Sequence, residues 1–127
     1  MFDQANTKKQ GDVGLGQAIA WFVSNNYTVS VPLTDSQDYD LLVDKDGKIQ
    51  RVQVKTTSYK RNDNYSVQLS VKGGNRSGAG RIKKFDKNKV ELVFVLTDTG
   101  DKYLIPSGDI NVLNHFTLTQ ERACFKV

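Results

Sequence analysis

The chain is poor in the residues that mark several common chemistries. It has one cysteine, Cys124, and one histidine, His115. A lone cysteine excludes an intramolecular disulfide and a cysteine-rich zinc site, and a lone histidine argues against histidine-based zinc or a Ser–His–Asp apparatus. No apolar run approaches the ~18 residues of a membrane span, and the N-terminus carries no signal-peptide pattern. Prolines are few: Pro32 opens a loop and Pro106 ends a strand. There is no internal repeat, low-complexity stretch or interdomain linker. An intracellular, cytoplasmic protein with no membrane contact is the simplest expectation.

What is present suits one globular domain. The 127 residues are 38% hydrophobic and 25% charged, enough for a core without staples. The net charge of +4 is modest but unevenly spread. Residues 51–90 hold eleven Lys/Arg against only Asp63 and Asp86, whereas residues 1–50 hold four against seven Asp. Such a one-sided segment points to a polyanion partner, or to charge that folding balances in three dimensions.

Residues 1–10 read as a polar tail and 11–127 as a single domain. Asp12 can cap a helix, because Leu15, Ala18, Ile19, Phe22 and Val23 then follow at amphipathic spacing, with Asn25-Asn26 at its end. Tyr27 to Val31 reads as a strand, and 32–37 as a loop. Strands are expected over 39–45, 48–57 and 65–71, the last with Tyr65, Val67, Leu69 and Val71 on one side. A glycine-rich basic loop spans 72–81, and residues 81–88 suit a short helix with Ile82 and Phe85 inward. Val90 to Leu96 is a near-continuous apolar run, the mark of a strand buried on both faces. Gly100 turns it into a strand over 102–105. Ser107 then caps a short helix holding Ile110, Val112 and Leu113, and the last ten residues pair as an edge strand. The class is α/β, with a helix opening the domain.

Two strings stand out, Asp38-Tyr39-Asp40 and Gln53-Val54-Lys55. Asp46-Gly47 between them is the dipeptide favoured in a two-residue hairpin turn. If that turn forms, position i pairs with 93 − i and Asp40 faces Gln53, with Cβ atoms roughly 4.5–5.5 Å apart. Lys55 then shares a face with Gln53. A bulged three-residue loop would instead slip the register and separate them. An acid, an amide oxygen and an ammonium on one face can hold a divalent cation and a phosphate. The same residues also suit the solvated face of an ordinary hairpin. Asp38 shares Asp40's alternation and is the rival ligand, although an Asp just before a strand often serves a turn.

A resemblance narrows these alternatives. The blocks Gly11-Asp12-Val13-Gly14-Leu15-Gly16-Gln17-Ala18-Ile19-Ala20-Trp21-Phe22, Tyr27-Thr28-Val29, Pro32-Leu33-Thr34-Asp35, Asp38-Tyr39-Asp40-Leu41-Leu42-Val43 and Arg51-Val52-Gln53-Val54-Lys55-Thr56-Thr57 resemble the PD-(D/E)XK nuclease superfamily. The closer likeness is to group I intron-associated, homing-type endonucleases, whose fold is related to archaeal Holliday-junction resolvases. It covers roughly residues 8–74, and Val90–Pro106 more loosely.

The resemblance implies a single restriction-endonuclease-like domain, with an N-terminal helix packed on a mixed central β-sheet and a further short helix. It implies an Mg²⁺-dependent endodeoxyribonuclease, Mn²⁺ substituting, that acts on double-stranded DNA in a bacterial or phage-infected cell. Asp40 becomes the first motif acid, Gln53 stands where a second acid is usual, and Lys55 is the motif lysine. Asp40, Gln53 and the Val54 carbonyl would hold the metal. Gln53 keeps a carbonyl oxygen for the ion but removes a charge. Many members carry a Glu on the first helix where this chain has Leu15. Asp12 replaces it only if the helix end points at the hairpin. One site per domain implies a homodimer or larger homo-oligomer for double-strand cleavage. A DNA-binding module with weakened chemistry and a Holliday-junction resolvase are the alternative readings.

The basic segment supplies candidate DNA contacts: Lys60, Arg61, Lys72, Arg76, Arg81, Lys83 and Lys84. Arg76 is the candidate for reaching a groove, since guanidinium pairs bidentately with guanine. A mobile surface loop is the simpler reading of any one of these residues. Gly11, Gly14 and Gly16 miss the dinucleotide-binding spacing and better serve close helix packing. His115 reads as structural or exposed, and Trp21 as a core aromatic.

Overall fold

The computed structural model describes residues 2, 6–72 and 82–127. It opens with helix α1, Thr7–Ser24. The cap is Asn6, whose side chain accepts the Lys9 N–H at 3.0 Å. The expected cap at Asp12 is therefore corrected: Asp12 is exposed within the helix, and part of the expected polar tail is helical. Helix and strand are joined by a tight hydrogen-bonded exit. Asn26 takes φ +69°, its N–H bonds the Val23 carbonyl at 3.1 Å, and the Tyr27 N–H reaches the Phe22 carbonyl at 3.0 Å. The Tyr27 ring closes edge-on against Phe22, centroids 5.0 Å apart. The buried stripe is Gly14, Ala18 and Phe22; Val23, expected within it, is 57% exposed.

The strands are β1 (Thr28–Ser30), β2 (Leu41–Lys45), β3 (Lys48–Thr57), β4 (Lys60–Arg61), β5 (Asn64–Gln68), β6 (Val71–Lys72), β7 (Ile82–Lys83), β8 (Leu92–Thr97), β9 (Lys102–Pro106) and β10 (His115–Thr117). The central sheet has the order β1-β2-β3-β8-β9, with β3 and β8 parallel and the other pairs antiparallel. A smaller sheet, β10-β5-β4, and a β6-β7 pair complete it.

Asp46 and Gly47 both have positive φ, +53° and +82°, as a primed two-residue turn requires. The register follows from it: Leu41 pairs with Val52 and Lys45 with Lys48, as the sum of 93 predicts.

The sheet buries both faces. Even-numbered residues of β3 and β8 face α1, where Val52, Leu92, Phe94 and Leu96 pack with Ala18, Phe22, Leu41 and Val43. Odd-numbered residues face the other way, where Val93 and Val95 pack with Val67, Leu69, Phe85, Val90, Ile105, Ile110, Phe116 and Leu118. Every residue of β8 is buried, as its uninterrupted apolar run requires. Gly14 sets the spacing on the helix side. A Cβ built there would lie 2.4 Å from the Thr56 Cγ2, so only glycine lets α1 come so close to β3.

Three local expectations are corrected. Residues 82–83 form a strand paired with β6, not the start of a helix. The helix expected after Ser107 is a single 3-10 turn, Ser107–Asp109, leaving Val112 and Leu113 exposed. The C-terminal residues form another 3-10 segment, Gln120–Phe125, and meet β9 through a bridge from Lys126 to Tyr103 and the Val127 N–H on the Lys102 carbonyl at 2.9 Å. The α/β class with an N-terminal helix on a mixed sheet stands.

Candidate active site

β2 begins at Leu41, and just before it Asp40 meets the backbone of β3. The Asp40 N–H continues the ladder by donating to the Val52 carbonyl at 2.8 Å. Its side chain then replaces the missing strand, Oδ2 accepting the Val54 N–H at 2.7 Å. A strand residue's N–H and C=O point to the same side, so the Val54 carbonyl faces this open edge as well. Gln53 and Lys55 project from the face opposite α1.

Asp40 and Gln53 line one cleft of about 340 Å³, joined by Asp38, Lys83, Lys84 and Lys89. Asp40 keeps some exposed surface, yet loss of water on its buried side pushes its pKa up. The Val54 N–H and the Lys55 charge oppose that rise without cancelling it. Lys55 is partly buried, and desolvation lowers its pKa against the weaker pull of Asp40. Burial thus pushes the acid up and the ammonium down, and each charge opposes the shift of the other.

The other sequence candidates fall elsewhere. Asp38, the rival ligand, is ion-paired with Lys83 and, at 3.1 Å, with Lys89. The hydrogen bonds from these lysines hold its carboxyl below the ordinary range. Leu15 packs against the helix-side core. Among the described residues no group of three His, Cys, Asp or Glu is gathered. The donors at the open edge are a carboxylate, an amide carbonyl and a backbone carbonyl. These are hard oxygen ligands, and they fit a cation such as Mg²⁺ that keeps several waters and takes substrate phosphate oxygens.

The basic segment separates into parts. Lys83 and Lys84 border the cleft. Lys60 sits over the Tyr65 ring, 4.8 Å from its centroid, and Arg61 opens on a different cleft. Lys72 belongs to β6, while Arg76 and Arg81 lie outside the described residues. Arg51 is bound by Glu91, with Nε at 3.0 and 3.1 Å from its two carboxylate oxygens, and so serves the fold. Lys89 was missed: its sequence neighbours give no sign that it borders the cleft. The Asp38 pairing that reveals it joins distant segments.

A family profile described as PD-(D/E)XK endonuclease matches residues 5–123. The chain belongs to the PD-(D/E)XK endonuclease family. A solved structure described as that of a bacterial homing endonuclease, I-Ssp6803I, superposes with a TM-score of 0.73. It is 23% identical, and the match covers 91% of this chain and 79% of that one. That likeness shows a shared fold. Comparison with curated proteins finds no match. Among the described residues of this family member, no helix is long and apolar enough to cross a membrane.

Proposed function

We propose that the protein is a metal-dependent endonuclease of the homing type that hydrolyses phosphodiester bonds in double-stranded DNA. The observation that carries this reading is the bond from the Val54 N–H to Asp40 at the open edge of β3, with Asp40 and Gln53 lining a lysine-bordered cleft and Lys55 on the same face of the strand as Gln53. Asp40, the Gln53 amide oxygen and the Val54 carbonyl would hold Mg²⁺ or Mn²⁺. Bound there, such an ion lowers the pKa of water and offsets charge developing on phosphate.

The chain's own groups supply the rest. Asp40 is fixed through one oxygen by the Val54 N–H, which leaves the other free to bind. Lys55 orients the attacking water and offsets negative charge developing on the phosphate. Lys83, Lys84 and Lys89 attract the DNA backbone to the cleft. One such site cuts one strand, so cleavage of both implies two copies related by symmetry, acting on DNA within a bacterial or phage-infected cell.

The test is supercoiled plasmid incubated with Mg²⁺ or Mn²⁺. Wild type nicks and linearises it, while Asp40→Ala and Lys55→Ala do neither. Full activity in Asp40→Ala would remove the mechanism. Glutamine at position 53, where a second acid is usual, favours one other reading, a DNA-binding module of the same fold. Salt-sensitive binding with no turnover under either ion would select it.

A further inference from the structure

β3 carries a second polar cleft beyond Lys55. Thr57 shares a face with Gln53 and Lys55 but lines a separate cleft of about 370 Å³, with Tyr59, Arg61, Gln68 and His115 around it and Gln10 of α1 at its edge. Four residues of strand separate Gln53 from Thr57, about 13 Å at 3.3 Å per residue. One phosphate cannot occupy both clefts.

The composition of this cleft differs from that of the first. Asp38, Asp40 and Asp86 line the catalytic cleft, whereas no Asp or Glu lines this one. Arg61 makes no ion pair among the described residues, in contrast to Lys83 and Lys89 on Asp38 and Arg51 on Glu91. The small sheet holds the donors in place. Arg61 pairs with Asn64 on one side of β5, and His115 pairs with Gln68 on the other. Thr57 is already committed, its hydroxyl donating to the Ser66 carbonyl at 2.5 Å. Arg61, His115 and Tyr59 remain at the rim; all three are exposed.

A cation with no ion pair among the described residues, in a cleft lined by no Asp or Glu and rimmed by hydrogen-bond donors, suits an anion. A guanidinium fork matches two oxygens of a phosphodiester. We infer that this cleft is a backbone-phosphate subsite, in which Arg61 with His115 and Tyr59 seats the DNA strand away from the scissile bond. The inference rests on the endonuclease reading and adds the path of the substrate to it.

The experiment is fluorescence anisotropy of a labelled mixed-sequence duplex with the full chain in EDTA, across a salt series. Arg61→Ala should weaken binding about 5–10-fold at 0.1 M salt and reduce the slope of log K against log salt by about 1. Arg61→Lys should keep the slope while losing part of the affinity, because it retains charge without the fork. His115→Ala should weaken binding about threefold at pH 8 with the slope unchanged. Thermal melting checks that each variant is folded. Wild-type affinity and slope in folded Arg61→Ala overturn the subsite, even if plasmid cleavage is intact. A wild type that shows the Arg61-dependent slope but never cuts leaves the subsite standing and removes the endonuclease reading.

Discussion

The Asp40 carboxylate is bonded to the Val54 N–H at 2.7 Å, fourteen residues along the chain. That contact makes the side chain act as the last rung of a strand that has not yet begun. It orients one oxygen toward the sheet and frees the other. The backbone of β3 thus supplies both a donor that fixes Asp40 and a carbonyl beside it.

Asp40→Asn should separate chemistry from folding. The amide oxygen can still accept the Val54 N–H, so the melting temperature should stay within about 3 °C of wild type. Plasmid cleavage should fall by about 10²–10³-fold or more, because a neutral amide holds a divalent cation poorly.

Acid should affect the site earlier than an ordinary aspartate would allow. Desolvation raises the Asp40 pKa above 3.8, so between these values the folded state binds more protons than the unfolded state. Its contribution to stability is present below 3.8 and lost as pH rises through the folded pKa. Ion binding runs the opposite way and weakens as pH falls into that window. Calorimetric titration with Mn²⁺ at stepped pH should show this loss beginning above the ordinary carboxylate range. Asp40→Asn should flatten the profile.

Lys55 should be a stability liability. Its lowered pKa means the folded state disfavours the ammonium, and the stability linked to it is lost as pH falls through the folded pKa. At neutral pH Lys55→Met should therefore gain about 0.5–1 kcal/mol while abolishing cleavage, the trade expected where function needs a strained charge. Urea denaturation of the two proteins measures the gain.

Asp38 occupies two lysines that phosphate would otherwise use. Asp38→Asn releases Lys83 and Lys89, and duplex binding at 0.1 M salt should tighten about 3–10-fold with a steeper salt slope. Were Asp38 instead a metal ligand, cleavage would collapse with binding unchanged.

Gly14→Ala should destabilise by about 1–3 kcal/mol despite the roughly 1 kcal/mol that alanine gains in helix propensity. The added Cβ would meet the Thr56 Cγ2 at 2.4 Å and the Val54 Cγ1 at 3.4 Å. Thr56→Ala in the same chain removes the first contact and should recover much of the loss in a thermal melt.

The hairpin was legible because its signals are local: Asp46-Gly47 demands positive φ, and strand alternation then fixes every pairing back to Leu41 and Val52. β8 was legible because a strand buried on both faces leaves no polar positions. The start of α1 was not, since Asn6 caps a first turn of Thr7, Lys8, Lys9 and Gln10 with no apolar stripe to announce it. β7 was hidden because two residues pair with a distant strand. Charge was hardest to read. Lys83, Lys89 and Arg51 look alike in sequence, and only folding shows which are neutralised by Asp38 or Glu91.

Since β3 and β8 run in the same direction, residues 58–91 must leave one end of the sheet and come back to the other. Among the described residues of that span, Val67, Leu69, Phe85 and Val90 pack on the face bearing Gln53 and Lys55, while Lys83, Lys84 and Lys89 wall one cleft and Arg61 lines another. The strand bearing Gln53 and Lys55 and the walls around it are thus contributed by separate lengths of chain.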